Sequence, residues 1–174
     1  MKRPSVVDDA DVILVKPSPT ADTRTCDWNT VSKEQLWDSS ISHHKDVKAG
    51  FEFLMRMMNR QADLHDHDKL SNIDGFHEDF RTGFKQTKWW DEHRKINRHH
   101  LLQEDGVPED VNLVDVLDMV VDCTMAGMAR SGSVYEIDID PAVLMRAFKN
   151  TFKLLQSHTV VAGMDAHIVT GKSE

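Results

Sequence analysis

The chain has 174 residues, 40% of them apolar and 29% charged, the balance of an ordinary globular domain long enough to bury a core unaided. Its formal net charge of −8 excludes a general nucleic-acid surface, which needs a basic patch to meet phosphates, although one small nucleotide asks only for a few local cations or a metal. Two cysteines far apart, Cys26 and Cys123, exclude a disulfide framework and a thiolate zinc site, and no apolar run reaches transmembrane length.

The opening MKRPSVVDDADV has no apolar run behind its basic residues and does not read as a secretion signal, so a cytoplasmic location is expected. Residues 1–30, including KPSPTADTRTCDWNT, read as an irregular arm with a short strand at DVILV (11–15). Thr30 and Ser32 are N-cap candidates for a first helix through KEQLW. A second helix is predicted over 42–59, where Val47, Phe51, Leu54 and Met58 recur at helical spacing, with His43 one turn before Val47 on that stripe and His44 pointing away. ADLHDHDKL reads as the end of a short helix entering a turn. A further helix is expected over 73–84, with Phe76, Phe80 and Phe84 on one face. WWDEHRKINRHH is helical in its first half, and Gly106 and Pro108 mark the loop that follows.

Asn112 caps a strong helix, LVDVLDMVVDCTMAGMAR, whose expected apolar face is Leu113, Val116, Leu117, Val120 and Val121, with Asp115, Asp118 and Asp122 on a second line. Asp140 at an N-cap and Pro141 at the first helical position start the last helix, in which Phe148 and Phe152 read as packing residues. The expected organisation is an arm (1–30), one helical domain (31–160) and a C-terminal tail (161–174), all-α in class.

Ten histidines are many for this length, and eight fall between His43 and His100. Imidazole is the commonest ligand of borderline metals, so clustering carries weight. The polar groups on inward faces are His43, His65-Asp66, His93, His99 or His100, and Asp122. Each has a plain alternative: a cap for His43, a surface turn for the His-Asp pair and for His99-His100, and for Asp122 a pairing with Arg56, Arg98 or Arg130. Asp122 is the most telling, because MVVDCTMAG is otherwise apolar and a buried carboxylate must be paired, hydrogen-bonded or on a metal.

The order His, His-Asp, three more histidines, Asp on successive helices resembles the HD-domain superfamily of metal-dependent phosphohydrolases over about residues 41–130. HDHDK, HRKINRHH and DMVVD further resemble an HD-like family of phages and bacteria with HDxSK, HxxxNxHH and (E/D)MxxD motifs. Asp68 replaces the usual serine, and the GYP signature of the cyclic-dinucleotide enzymes is missing, so that substrate is not carried over. The resemblance implies a compact HD-like helical bundle and a small nucleotide substrate. It implies metal ligation by His43, His65, Asp66 and Asp122, and a second ion on His93, His99 and His100 bridged by Asp66. A set of histidines and aspartates with open positions suits Mn, Fe, Co, Ni or Zn, one or two per chain.

On this reading Asp66, Lys69 and Asp68 are the candidate catalytic residues, Asp68 and His67 as proton donors to the leaving oxygen. Lys69 and Arg130 are candidates for neutralising phosphate, and Asp118 for orienting a ligand histidine. Two further readings stay open: a di-iron oxygenase on the same fold, and a non-catalytic module in which metal only holds helices together. No membrane partner is expected; a homo-oligomer is left open, and the location would be the host cytoplasm if the chain is phage-encoded.

Overall fold

Ser32 starts the first helix through a reciprocal cap: its Oγ accepts from Gln35 N at 3.2 Å, and Gln35 Oε1 accepts from Ser32 N at 2.8 Å. The helix, α1, then runs unbroken over Lys33–Leu64 where two helices were expected. Nothing in DSSIS forces a break, since no Gly or Pro intervenes and Ser40 Oγ satisfies itself on Leu36 O at 2.7 Å. The computed structural model describes residues 5–18, 23–86, 88–134 and 136–163. Over these the chain is mostly helical, with one two-stranded parallel sheet. None of the described helices is long and apolar enough to cross a membrane.

The chain divides into two compact units, Met1–Val6 with Met57–Phe152 and Val7–Arg56 with Lys153–Glu174. In the second unit β1 (Ile13–Val15), the strand expected at 11–15, pairs in parallel with β2 (Thr159–Val161), Ile13 opposite Thr159. Phe53 is fully buried with its ring 5.0 Å from that of His158, and His158 Nδ1 lies 2.8 Å from Asp11 O. Most of the tail expected at 161–174 lies outside the described residues.

The first unit holds the end of α1, the short α2 (His67–Ser71), α3 (Ile73–Arg81), α4 (Trp89–Ile96), α5 (Leu113–Ser131) and the start of α6 (Pro141–His158). α3 stops three residues early because Gly83 and Phe84 both take positive φ, 67° and 63°. α5 begins at a full capping box, Asn112 with Asp115, and Asp140 caps α6 by accepting from Ala142 N at 2.8 Å. The apolar core is Leu101, Val111, Met119, Val143 and Ala147.

The burial of α5 differs from expectation. Val114, Asp115 and Met119 are buried, while Leu117, Val120 and Val121 are exposed. Leu113 and Val116 pack against the core as expected, while the helix turns its line of aspartates towards charged and imidazole partners and leaves Leu117, Val120 and Val121 outward. Phe148 and Phe152 are likewise exposed, a correction to their reading as packing residues. Of the methionines at 55, 57 and 58, only Met57 is buried.

Candidate metal centre

Along a continuous helix adjacent side chains diverge by about 100°. Here α1 has ended at Leu64, and Asp66 takes the left-handed conformation (φ 52°, ψ 19°), a region that aspartate enters more readily than most residues. The bend brings His65 Nε2 within 3.6 Å of Asp66 Oδ2. Asn97, just past α4, holds the turn from outside: its Oδ1 accepts from Asp66 N at 3.1 Å, and its Nδ2 donates to Asp68 Oδ1 at 2.8 Å.

The next wall is α5. Asp118 accepts from Gln61 Nε2 at 2.5 Å and from His65 Nδ1 at 2.8 Å, and lies 3.5 Å from His99 Nδ1. With Nδ1 of both rings turned to Asp118, their Nε2 atoms face the other way. His65 Nε2 lies 3.7 Å from Asp122 Oδ1, and His99 Nε2 lies 3.7 Å from Asp66 Oδ1 and 4.0 Å from Asp122 Oδ2. For His65 the carboxylate on Nδ1 fixes the tautomer in which Nε2 keeps its lone pair, the arrangement that prepares a ligand histidine, whereas His99 Nδ1, buried 3.5 Å from Asp118, makes no hydrogen bond.

His93 repeats the device on the opposite side. Its ring is fully buried, with Nδ1 2.9 Å from Asp68 Oδ2 and Nε2 3.4 Å from Asp66 Oδ1. Trp89 and Trp90 stack on it, each centroid 5.0 Å away at 16° and 24°. The two tryptophans therefore set the imidazole plane. His100 completes this side, its ring 4.8 Å from that of His93.

Two groups of ligand atoms emerge, Asp66 with His93, His99 and His100, and His65 with His99 and Asp122, the atoms of each lying within 4.8 Å of one another. The pair separations of 3.4–4.0 Å just given are long for hydrogen bonds. They are close to the roughly 3–3.5 Å between neighbouring ligands that share an ion at about 2.1 Å. Three of the atoms, Asp66 Oδ1, His93 Nε2 and His100 Nε2, are buried with no hydrogen-bond partner. Buried polar atoms rarely go unsatisfied, and imidazole nitrogens with carboxylate oxygens are the donor set of a borderline divalent cation. The residues fit a metal ion.

The electrostatics agree with this division of labour. Burial would raise the Asp118 carboxyl, but hydrogen bonds from His65 and Gln61 prevail and hold it well below the usual carboxylate range. His65 is raised by its hydrogen bond to Asp118. Asp66 is lowered: burial opposes ionisation, and the hydrogen bond from Lys69 Nζ to Oδ2 at 2.5 Å together with the charges of Lys69, His65 and His99 outweighs it. Burial lowers His93, and burial with the neighbouring His99 pushes His100 down to about 3.

The structure thus brings together His65, Asp66, His93, His99, His100, Asp122 and Lys69. It does not bring in His43, which lies exposed on α1 in the other unit, as does Val47, so the inward stripe expected there is not observed. His99 closes on His65 and Asp122 instead. Asp68 is buried against His93 and Asn97, which makes it an anchor of the ring and not an exposed proton donor; His67 Nδ1 lies 2.8 Å from Leu64 O. Arg130 is exposed in the last turn of α5, outside the cleft of about 170 Å³ that His99, His100 and Asp122 line together with Trp90, Leu101 and Met119. The pairing considered for Asp122 is not seen with Arg98, which goes to Asp115, nor with Arg56, which goes to Asp11.

Gln61 and Asn97 were not singled out from the sequence as site residues. Gln61 sits one turn before His65 and Asn97 one turn after His93, so helical spacing from a ligand was the available signal. No model of a known protein family, no curated protein and no solved structure matches this chain.

Proposed function

We propose that this centre hydrolyses the phosphate ester of a small nucleotide, as a metal-dependent phosphohydrolase of the HD type at work in the cytoplasm. One observation carries the reading. The two oxygens of Asp66 face different imidazoles, Oδ2 towards His65 and Oδ1 towards His93 and His99, with Oδ1 buried and unpartnered. Asp66 would thus be available to a metal on either side of the centre, with Lys69 on its Oδ2. His65, His99 and Asp122 would hold an ion on one side, and Asp66, His93, His99 and His100 on the other, with His99 common to both groups. Mn, Fe, Co, Ni or Zn suits such donors. A divalent ion supplies Lewis acidity here, lowering the pKa of water towards about 7 and polarising a phosphoryl oxygen.

The chain's own residues do the rest. Asp118 keeps the His65 ring, and Asp68 the His93 ring, in the tautomer that presents Nε2. The Lys69 ammonium, partly exposed on Asp66 Oδ2, neutralises a phosphate oxygen arriving at the centre. The nucleotide class comes from the resemblance of HDHDK, HRKINRHH and DMVVD to the HD-like family.

The donor set of four histidines and two aspartates also favours a second reading, a di-iron oxygenase. Metal content by elemental analysis with a phosphate-release screen over NMPs, dNMPs, NTPs and alarmones separates the two. Metal-dependent phosphate release that Lys69→Ala weakens without loss of metal is the expected result. A metal-loaded protein that releases no phosphate from any of them sinks the phosphohydrolase. Two irons per chain with oxygen-dependent turnover selects the oxygenase.

A further inference from the structure

His99 and His100 lie outside any helix, between the end of α4 and the 3-10 turn Glu104–Gly106. Two side chains immediately before them decide where this irregular stretch runs. Asn97 binds it to Asp66 and Asp68. Arg98 binds it to α5. The guanidinium meets Asp115 with two parallel bonds, Nε to Oδ1 at 2.6 Å and Nη2 to Oδ2 at 2.9 Å, and Nη1 reaches Asp110 Oδ1 at 3.1 Å. Arg98 is 5% exposed and Asp115 not at all, and Asp115 Oδ2 also accepts from Asn112 N at 2.9 Å in the capping box of α5.

Asp118 and Asp122 follow Asp115 at three and seven residues on the same helix, which puts all three carboxylates on one face at rises of about 4.5 and 10.5 Å. A planar fork on a planar carboxylate fixes both separation and rotation, as a single ammonium contact does not. Such a buried pair is also a poor stabiliser, because desolvation consumes most of its attraction, so a use in setting geometry accounts for it better than a use in holding the fold.

We infer that the Arg98–Asp115 fork is a positioning device for the metal centre, holding the His99-His100 ligands in register with Asp118 and Asp122 and so setting metal affinity and coordination geometry. The inference rests on the centre binding metal, as proposed above. Neither residue touches the ligand atoms; both act through their neighbours in sequence.

The test uses the full chain, Co²⁺ as the probe, and three readouts: the dissociation constant, the visible absorption of the Co²⁺-loaded protein, and the Tm of the metal-free protein. In a double variant, Arg98→Met with Asp115→Asn, both charges go while the amide oxygen still caps α5. Its metal-free Tm is expected to stay close to that of the wild type while Co²⁺ affinity falls about tenfold to hundredfold and the spectrum changes. Arg98→Lys keeps the charge and loses the fork; it is expected to weaken Co²⁺ binding about tenfold, and it decides the matter if the double variant does not fold. Arg56→Met, which removes the 3.0 Å pair with Asp11 in the other unit, leaves affinity and spectrum as they were. Unchanged affinity and spectrum in the double variant, or in Arg98→Lys if that must decide, overturn the inference and leave the metal centre standing. A wild-type chain that binds no Co²⁺, Mn²⁺ or Zn²⁺ overturns the metal centre and the inference together.

Discussion

Histidines stand at two places, inside α1 and just beyond its end, with different surroundings. His43 and His44 stand in mid-helix, both exposed, on backbone that continues regularly in both directions. His65 and Asp66 stand where the helix has stopped. There Gln61, Asn97 and Asp118 supply hydrogen bonds to the pair and its anchors, and the left-handed Asp66 swings a carboxylate to the same side as the ring. Residue type alone does not separate these sites. His65 has a carboxylate on Nδ1 and a bend that swings its neighbour alongside; His43 and His44 stand exposed on regular helix with no such bend beside them.

The sharpest way to break this comparison is Asp66→Ala, which removes the oxygens facing both sides of the centre: metal content by elemental analysis is expected to fall to background, and phosphate release with it. Retained metal would mean that the bend at Asp66 serves the chain and not the site. Next comes Asp118→Asn. An amide can donate as well as accept, so the tautomer of His65 is no longer imposed, and titration with Co²⁺ should show affinity about 10–100-fold weaker.

A smaller effect concerns pH in the metal-free protein. His100, pushed down to about 3, stays neutral when folded, whereas in the unfolded chain it takes a proton at about 6.5. Its neutrality therefore stabilises the fold above about pH 6.5, and that contribution drains away as the pH falls from there towards 3; lowered His93 acts in the same sense. The pair of His65 and Asp118 runs differently. His65, raised, contributes fully below about 6.5 and loses its effect as the pH climbs through its folded value, while depressed Asp118 contributes above about 4 and loses its effect as the pH falls through its own. Tm is thus expected to fall between about pH 7 and 5, and less so in His100→Gln; equal slopes in the two proteins would contradict the burial of a neutral His100. The least effect belongs to His43→Ala, for which metal content and Co²⁺ affinity are expected to match the wild type.

Much of the centre was legible because its parts are local. The doublet at 65–66, the run from His93 to His100 and the aspartates of α5 are each set by spacing along one short stretch, and Asp118 stands one turn from Asp122. The caps Ser32, Asn112 and Asp140 were equally plain. What escaped depends on pairing across distance. Asp68 looks like an exposed acid until His93, 25 residues on, covers it. Arg98 was a partner for Asp122 on paper, and only the fold shows that Asp115 takes it. The face of α5 was read correctly at Leu113 and Val116 and misjudged at Leu117, Val120 and Val121, because hydrophobic periodicity cannot register that carboxylates on the neighbouring line have partners to meet.

The small sheet has a consequence for how the chain comes together. Ile13 meets Thr159 across a long sequence separation, whereas every residue of the candidate metal groups lies between His65 and Asp122. Contacts of long sequence separation are slow to form, and a nascent chain exposes its N-terminal portion first. On a ribosome the strand at Ile13–Val15 must wait for its mate long after the last residue of the His/Asp cluster has emerged, so that cluster can assemble while the ladder is still open.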